Sequence, residues 1–313
     1  MTRAFIFPGQ GSQAVGMGSE LADAFPEARM VFEEIDDALE QKLSLLMAGG
    51  PEDELTLTEN AQPALMAVSM AALRVLEKEG GLDLASAASC VAGHSLGEYS
   101  ALAAAGTFTV ADTARLLKIR GKAMQAAVPV GEGAMAALLG LEMDDVRAIA
   151  EEASSAGVCS TANDNASGQV VISGEAAAVE HACELAKEKG CKRAVLLPVS
   201  APFHCSMMAP AADAMAEALG NVQMQAPIVP VVANVTASKT VDPDEIRELL
   251  VEQVTHMVRW RESVLYMKDQ GVDTLVEVGA GKVLSGLTRR IDKEMTSVNV
   301  GTPADVETFL ASL

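Results

Sequence analysis

Aromatic residues are scarce in this 313-residue chain: with seven Phe, two Tyr and one Trp, the interior must be filled by Ala, Leu, Val and Met. Positive charge is also short, 23 Lys and Arg standing against 43 Asp and Glu for a formal net charge of −20. Binding a polyphosphate draws on clustered positive charge, so this balance argues against nucleic acid as the main partner. The five cysteines, at 90, 159, 183, 191 and 205, contain no CxxC pair and leave an odd count. That argues against a disulfide framework or a zinc site and fits a reducing cytosol. No apolar window reaches membrane-spanning length. The start, MTRAFIFPGQGSQ, offers four apolar residues before proline and glycine intervene, where a signal peptide needs roughly 7 to 15. A cytoplasmic protein is expected. What the chain does have is 50% hydrophobic and 21% charged residues, ample for a packed core. Its length suits one large domain or two moderate ones, as cores above roughly 250 residues tend to split.

Short apolar runs alternate with segments of helical period. Ala4 to Phe7, Ser89 to Ala92, Ile228 to Val232, Thr274 to Val278 and Ser297 to Val300 read as buried strands, which predicts an α/β fold with a mostly parallel sheet. The clearest helix is Asn60 to Lys78, where Ala61, Ala64, Leu65, Val68, Ala71, Ala72 and Val75 recur at steps of three and four; that stripe reads as core, with no chemistry implied. Between Gly133 and Val199 the rhythm changes. Strands at Met135–Leu139, Val158–Ala162, Gln169–Ile172 and Ala194–Val199 and helices at Asp144–Ser154 and Glu175–Glu188 give the order β-α-β-β-α-β, a split unit of ferredoxin-like type. The expected architecture is an α/β-hydrolase-like large domain, residues 1–128 and 200–313, with an inserted ferredoxin-like small domain at 129–199. A cleft between the two is the natural place for a ligand.

The strongest local signal is Gly93-His94-Ser95-Leu96-Gly97, a GxSxG pattern between an apolar run and the helical stretch Glu98 to Ala105. A nucleophile elbow needs this context: a tight strand-to-helix turn strains the serine, and glycines on both sides let the chain pass closely. Ser95 then projects at a helix N-terminus, where the Leu96 N–H and the dipole favour a developing oxyanion. A serine hydroxyl is a weak nucleophile without a base. His94 is adjacent and diverges in a tight turn, His181 falls among Glu180, Glu184 and Lys187, and His256 has little to recommend it. His204, in the uncharged, proline-bracketed loop Pro198 to Met208, is the candidate base, although a loop histidine serves structure as readily as catalysis. Two decoys accompany these residues. Gly9-Gln10-Gly11-Ser12-Gln13-Ala14 formally fits a dinucleotide fingerprint, but Pro8 intervenes and Gly16 and Gly18 interrupt the helix it requires. Gly279-Ala280-Gly281-Lys282 lacks the remaining glycine and hydroxyl residue of a phosphate loop.

Taken together, Phe7-Pro-Gly-Gln-Gly-Ser-Gln13, Gly93-His-Ser-Leu-Gly-Glu-Tyr99, Pro202-Phe-His204 and Glu277-Val-Gly-Ala-Gly-Lys-Val-Leu284 occur in an order that resembles the malonyl-CoA:acyl carrier protein transacylases of fatty acid synthesis. The acyltransferase domains of polyketide synthases are similar at greater distance. The resemblance covers nearly the whole chain. It implies that Ser95 accepts malonyl from coenzyme A, that His204 is its base, and that Gln10 supplies a second oxyanion N–H beside Leu96. It further implies that Arg120 binds the malonyl carboxylate, that the Gln253 backbone carbonyl orients the histidine, that Asn163 lies near the active site and that Phe203 limits room beside the acyl α-carbon. Read on its own residues, Lys118 to Lys122 is a basic helix surface. One departure stands out: family members often carry a proline turn after the Gln253 position, where this chain has Thr255-His256-Met257. Malonyl-CoA and acyl carrier protein are the implied partners, with no metal or redox cofactor and a monomeric enzyme.

Two other classes use the same residues differently. A serine thioesterase or hydrolase would hand the acyl group to water, and a non-catalytic domain of this fold would hold no acyl group. The charge is also uneven: residues 20–59 hold 12 acidic and 2 basic residues. By contrast Arg115, Lys118, Arg120 and Lys122, then Lys187 to Arg193, then Arg289 and Arg290 form three basic spots that could receive an acidic carrier and the coenzyme phosphates.

Overall fold

A computed structural model describes residues 2–313. Ten strands lie among them: β1 (Arg3–Phe7), β2 (Cys90–Gly93), β3 (Gly133–Leu139), β4 (Cys159–Ala166), β5 (Gln169–Glu175), β6 (Arg193–Leu196), β7 (Val231–Ala233), β8 (Ser238–Thr240), β9 (Thr274–Val278) and β10 (Thr296–Val300). Six of them form one sheet in the order β10-β9-β1-β2-β7-β8. All neighbours in it are parallel except β7 and β8. Helices cover both faces, so its central strands are apolar throughout. Phe5 and Phe7 of β1 point into a core with Leu65, Val68 and Ala72 of the helix Thr58–Gly80. Ala4 and Ile6 point the other way, to Trp260, Val264 and Leu284. The period of two along β1 thus divides one strand between two cores.

The remaining strands form an antiparallel sheet in the order β4-β5-β3-β6. The helices Met143–Ala153 and Ala176–Glu188 pack on one face of it around Leu138, Ile149, Ile172 and Val179, a core separate from the first two. From its other face Met135, Ala162 and Val171 join the core of the large sheet. The cleft therefore opens between this face and the C-terminal ends of β1 and β2, where parallel α/β sheets generally bind ligands.

Several strands differ from their sequence expectation: β6 ends at Leu196, β5 runs on to Glu175 and β8 was not expected, and two further differences have a local physical cause. The apolar run from Ile228 joins the sheet only from Val231, because Pro230 has no N–H to donate and Ile228 stands 58% exposed. β4 continues to Ala166 through the polar residues Asn163, Asp164 and Asn165, with register shifts between Thr161 and Asn163 and between Asp164 and Ala166. Those bulges bend the strand and re-aim its side chains, which the polar composition of the stretch concealed.

Candidate active site

β2 ends at Gly93 and a helix begins at Leu96, leaving Ser95 to make the reversal with φ +53° and ψ −112°, a conformation side chains rarely adopt. The flanking glycines permit it. A Cβ on Gly93 would lie 1.9 Å from the Gly97 carbonyl, and one on Gly97 would lie 2.3 Å from the Phe7 carbonyl oxygen of β1. The turn is pinned by Asn234, just beyond β7, which accepts from Ser95 N–H at 2.8 Å and donates from Nδ2 to the Gly93 carbonyl at 2.7 Å.

His204 comes from the loop after β6 and is 4% exposed. Its Nδ1 lies 2.8 Å from the Gln253 carbonyl oxygen and its Nε2 2.8 Å from Ser95 Oγ. A carbonyl only accepts, so Nδ1 carries the proton and Nε2 presents its lone pair to the serine hydroxyl. Gln253 is the last residue of the helix Pro243–Gln253, whose final carbonyls lack intrahelical partners and carry the negative end of the dipole. A helix end thus occupies the position that an acid fills in other triads. Burial lowers the His204 pKa to about 3, Arg120 and His94 adding to the fall and the Gln253 carbonyl opposing it. The imidazole is therefore neutral, as a base must be.

Arg120 lies in the helix Val110–Ala127, but its side chain is 1% exposed. It donates to Gln62 Oε1 at 2.7 Å, to Gln253 Oε1 at 2.9 Å and to Ser95 Oγ at 3.1 Å, and it rests over the Tyr99 ring at 5.6 Å. All three acceptors are uncharged. Burial lowers its pKa against the pull of Tyr99 and Glu98. The basic-surface reading of this stretch is corrected here. Arg120 points inward, Lys118 pairs with Glu59 at 3.1 Å, the exposed Arg115 pairs with Asp112 at 3.2 Å, and only Lys122 is both exposed and without an ion pair among the described residues. The reason is helical geometry: positions two apart face different ways, and Arg120 falls on the inward side with Leu116, Leu117 and Met124.

A cavity of about 320 Å³ opens over these groups. Gln10, Ser95, Leu96, Arg120 and His204 line it, together with Met135, Asn163 and Phe203. Asn163, on β4, is 7% exposed and Phe203 8%. The backbone N–H groups of Gln10 and Leu96 donate to no protein acceptor among the described residues, so both are available to an oxyanion in the cavity. The Gln10 side chain turns away to accept from Thr58 Oγ1 at 3.0 Å. Three His, Cys, Asp or Glu side chains gather nowhere among the described residues as a metal set. The other two histidines of the large body do not reach the serine hydroxyl: His94 Nε2 bonds Asn165 Oδ1 at 2.8 Å, and His256 stays exposed beside Glu252.

Residues 4–305 match the acyl transferase domain family. The chain belongs to that family. Among its relatives, the malonyl CoA-acyl carrier protein transacylase of Escherichia coli is 48% identical over 301 residues, covering 96% of each chain. The crystal structure of the acyl-carrier-protein-S-malonyltransferase of Bartonella henselae is 60% identical and superposes with a TM-score of 0.98, covering 100% of this chain and 99% of that one. A further acyl transferase neighbour, 43% identical with a TM-score of 0.96 over all of both chains, is a malonyl-transacylase solved in complex with its type II PKS acyl-carrier protein.

Three residues of the acyl transferase site received no role from the sequence. Gln62 sits on the helix read as core without chemistry, one position from its apolar stripe, and holds Arg120. Asn234 follows three apolar strand residues. Glu98 is 2% exposed within the GxSxG helix and accepts from Asn234 N–H at 3.0 Å and Gln253 Nε2 at 2.8 Å. A buried polar residue is recognisable only by its partners, and these partners are distant in the chain.

Proposed function

We propose that this chain transfers the malonyl group of malonyl-CoA to the phosphopantetheine thiol of an acyl carrier protein through a malonyl ester on Ser95. One observation carries the substrate class: Arg120 is a buried cation with only neutral acceptors, 3.1 Å from the serine oxygen. A buried charge with no counter-ion bonded to it is costly. A substrate carboxylate supplies one, and guanidinium grips it through two parallel hydrogen bonds. The short distance to Ser95 Oγ suits a carboxylate one methylene beyond the carbonyl under attack.

In this reading His204 Nε2 takes the Ser95 proton as Oγ bonds to the thioester carbonyl carbon, and the oxyanion rests on the Gln10 and Leu96 N–H groups. The carbon–sulfur bond breaks and His204 returns the proton to the departing coenzyme A thiolate. The carrier thiol then gives its proton to His204, attacks the ester and leaves with malonyl, restoring Ser95 Oγ–H. The Gln253 carbonyl keeps the imidazole oriented throughout, Asn163 borders the acyl group, and Phe203 narrows the space beside its α-carbon. The free N–H groups, the neutral His204 and the cavity support these roles. Residues 129–199 form the inserted domain in this scheme, supported by their separate core. Every group of the site comes from one chain, which supports a monomer. No helix among the described residues is long and apolar enough to cross a membrane, and the cytoplasm is the proposed compartment.

The deciding experiment is mass spectrometry of the protein mixed with malonyl-CoA. A malonyl adduct on Ser95 that persists until carrier thiol is added is expected. Turnover to free malonate without an adduct would favour the hydrolase reading instead, and no reaction at all would favour the non-catalytic one.

A further inference from the structure

Beneath the reactive groups lies a buried cluster that does not line the cavity. Gln253 Nε2 donates to the Glu98 carboxylate at 2.8 Å and to the Ser95 carbonyl at 3.0 Å, while its Oε1 accepts from Arg120. The same Glu98 oxygen accepts from the Asn234 backbone N–H at 3.0 Å. Asn234 in turn closes the Ser95 turn from both sides. Glu98, Asn234 and Gln253 are 2%, 0% and 0% exposed. Three chain segments, the elbow helix, the residue after β7 and the end of helix Pro243–Gln253, thus meet in one set of amide and carboxylate bonds.

We propose that Glu98 and Asn234 are positioning residues for this reaction, with separable duties: Asn234 holds the strained Ser95 turn in attacking geometry, and Glu98 locks the Gln253 amide that aims Arg120. This rests on the acyl-transfer reading above. The bonding pattern assigns the duties. An amide that bonds the carbonyl before a turn and the N–H of the strained residue opposes relaxation of that turn. A terminal amide free to rotate would present N–H to Arg120 instead of oxygen; the carboxylate, which only accepts when ionised, selects the orientation with Oε1 toward the guanidinium. Burial raises the Glu98 pKa to about 7, with the Asn234 N–H, Gln253 and Arg120 opposing, so the acid can be neutral near physiological pH. In the acid form Oε2 can remain the bare acceptor, and a glutamine at 98 could make the same two bonds.

The test compares single-turnover acylation of Ser95 by malonyl-CoA and acetyl-CoA with labelling by phenylmethylsulfonyl fluoride, which needs Ser95 but no arginine. Misplacement of a reacting group by about 1 Å costs on the order of 100-fold. Asn234→Ala should slow all three reactions by about 100-fold and leave the malonyl-to-acetyl ratio unchanged. Glu98→Ala should lower that ratio by about tenfold or more, and Glu98→Gln should recover the ratio and most of the rate. Wild-type labelling of a folded Asn234→Ala, an unchanged ratio in Glu98→Ala, or a loss in Glu98→Gln matching that in Glu98→Ala would each overturn the proposal. If Glu98→Ala does not fold, Glu98→Leu, which fills similar volume and cannot accept a hydrogen bond, takes its place in the ratio test with the same expected and overturning outcomes. A malonyl-Ser95 adduct in the wild type separates these outcomes from failure of the underlying reading, which would leave no adduct to slow.

Discussion

Arg120 and His204 act on each other through space, and their coupling has two measurable consequences. Removing the guanidinium in Arg120→Ala takes away the counter-ion for a substrate carboxylate, so malonyl transfer should fall by roughly 100-fold or more, while transfer of uncharged acyl groups persists or rises. Malonyl turnover at the wild-type rate would remove Arg120 from the binding role. The same cation helps to hold the His204 pKa near 3. A neutral imidazole is the base, so serine labelling in the free enzyme should stay flat as pH falls through 6.5 and decline only well below it. Loss of a nearby positive charge favours the protonated imidazole, so Arg120→Ala should move that acid limb to higher pH; a limb that stays in place would mean the coupling is absent. Ser95 and His204 were legible from local context, a GxSxG turn and an uncharged loop. Arg120 was legible only through the family resemblance, since a buried arginine and a surface arginine look alike in a helix of mixed composition.

At the scale of elements, the elbow depends on two close approaches that no side chain can enter. Gly97→Ala would drive a methyl group to 2.3 Å from the Phe7 carbonyl oxygen and against the Phe7–Pro8 backbone. Overpacking of this kind typically costs about 3 kcal/mol, and urea or thermal unfolding should register it; a Gly97→Ala protein as stable as wild type would show the helix free to shift. Most strands, and the helices Thr58–Gly80, Met143–Ala153 and Ala176–Glu188, could be read from their periods because each has a buried face. The exceptions share a cause. β4 runs on through Asn163 to Asn165 and β7 waits until after Pro230, where bulges and a missing N–H outweigh local composition. The C-terminal carbonyl of helix Pro243–Gln253 acquires its role from where the helix stops, without any proline to mark the place.

Across the whole molecule, the −20 charge makes an acidic carrier dependent on local basic spots. Folding weakens one of them: between Thr113 and Lys122, ion pairs and burial leave only Lys122 both exposed and without an ion pair among the described residues. In the second spot Lys189 pairs with Glu152 at 3.1 Å, while Lys192 and Arg193 are exposed. Reversing Lys189, Lys192 and Arg193 to Glu should raise the carrier's KM several-fold at low salt, with less effect at high salt; an unchanged KM at low salt would exclude that surface. The sequence by itself determined the α/β order, the split β-α-β-β-α-β unit and the strained serine, because each is written in neighbouring residues as a period or a turn. Only the tertiary structure decided which groups meet that serine. Ser95 and His204 are 109 positions apart and Arg120 and Gln253 are 133 apart, and their bonds exist only once two sheets and three helices have packed around them.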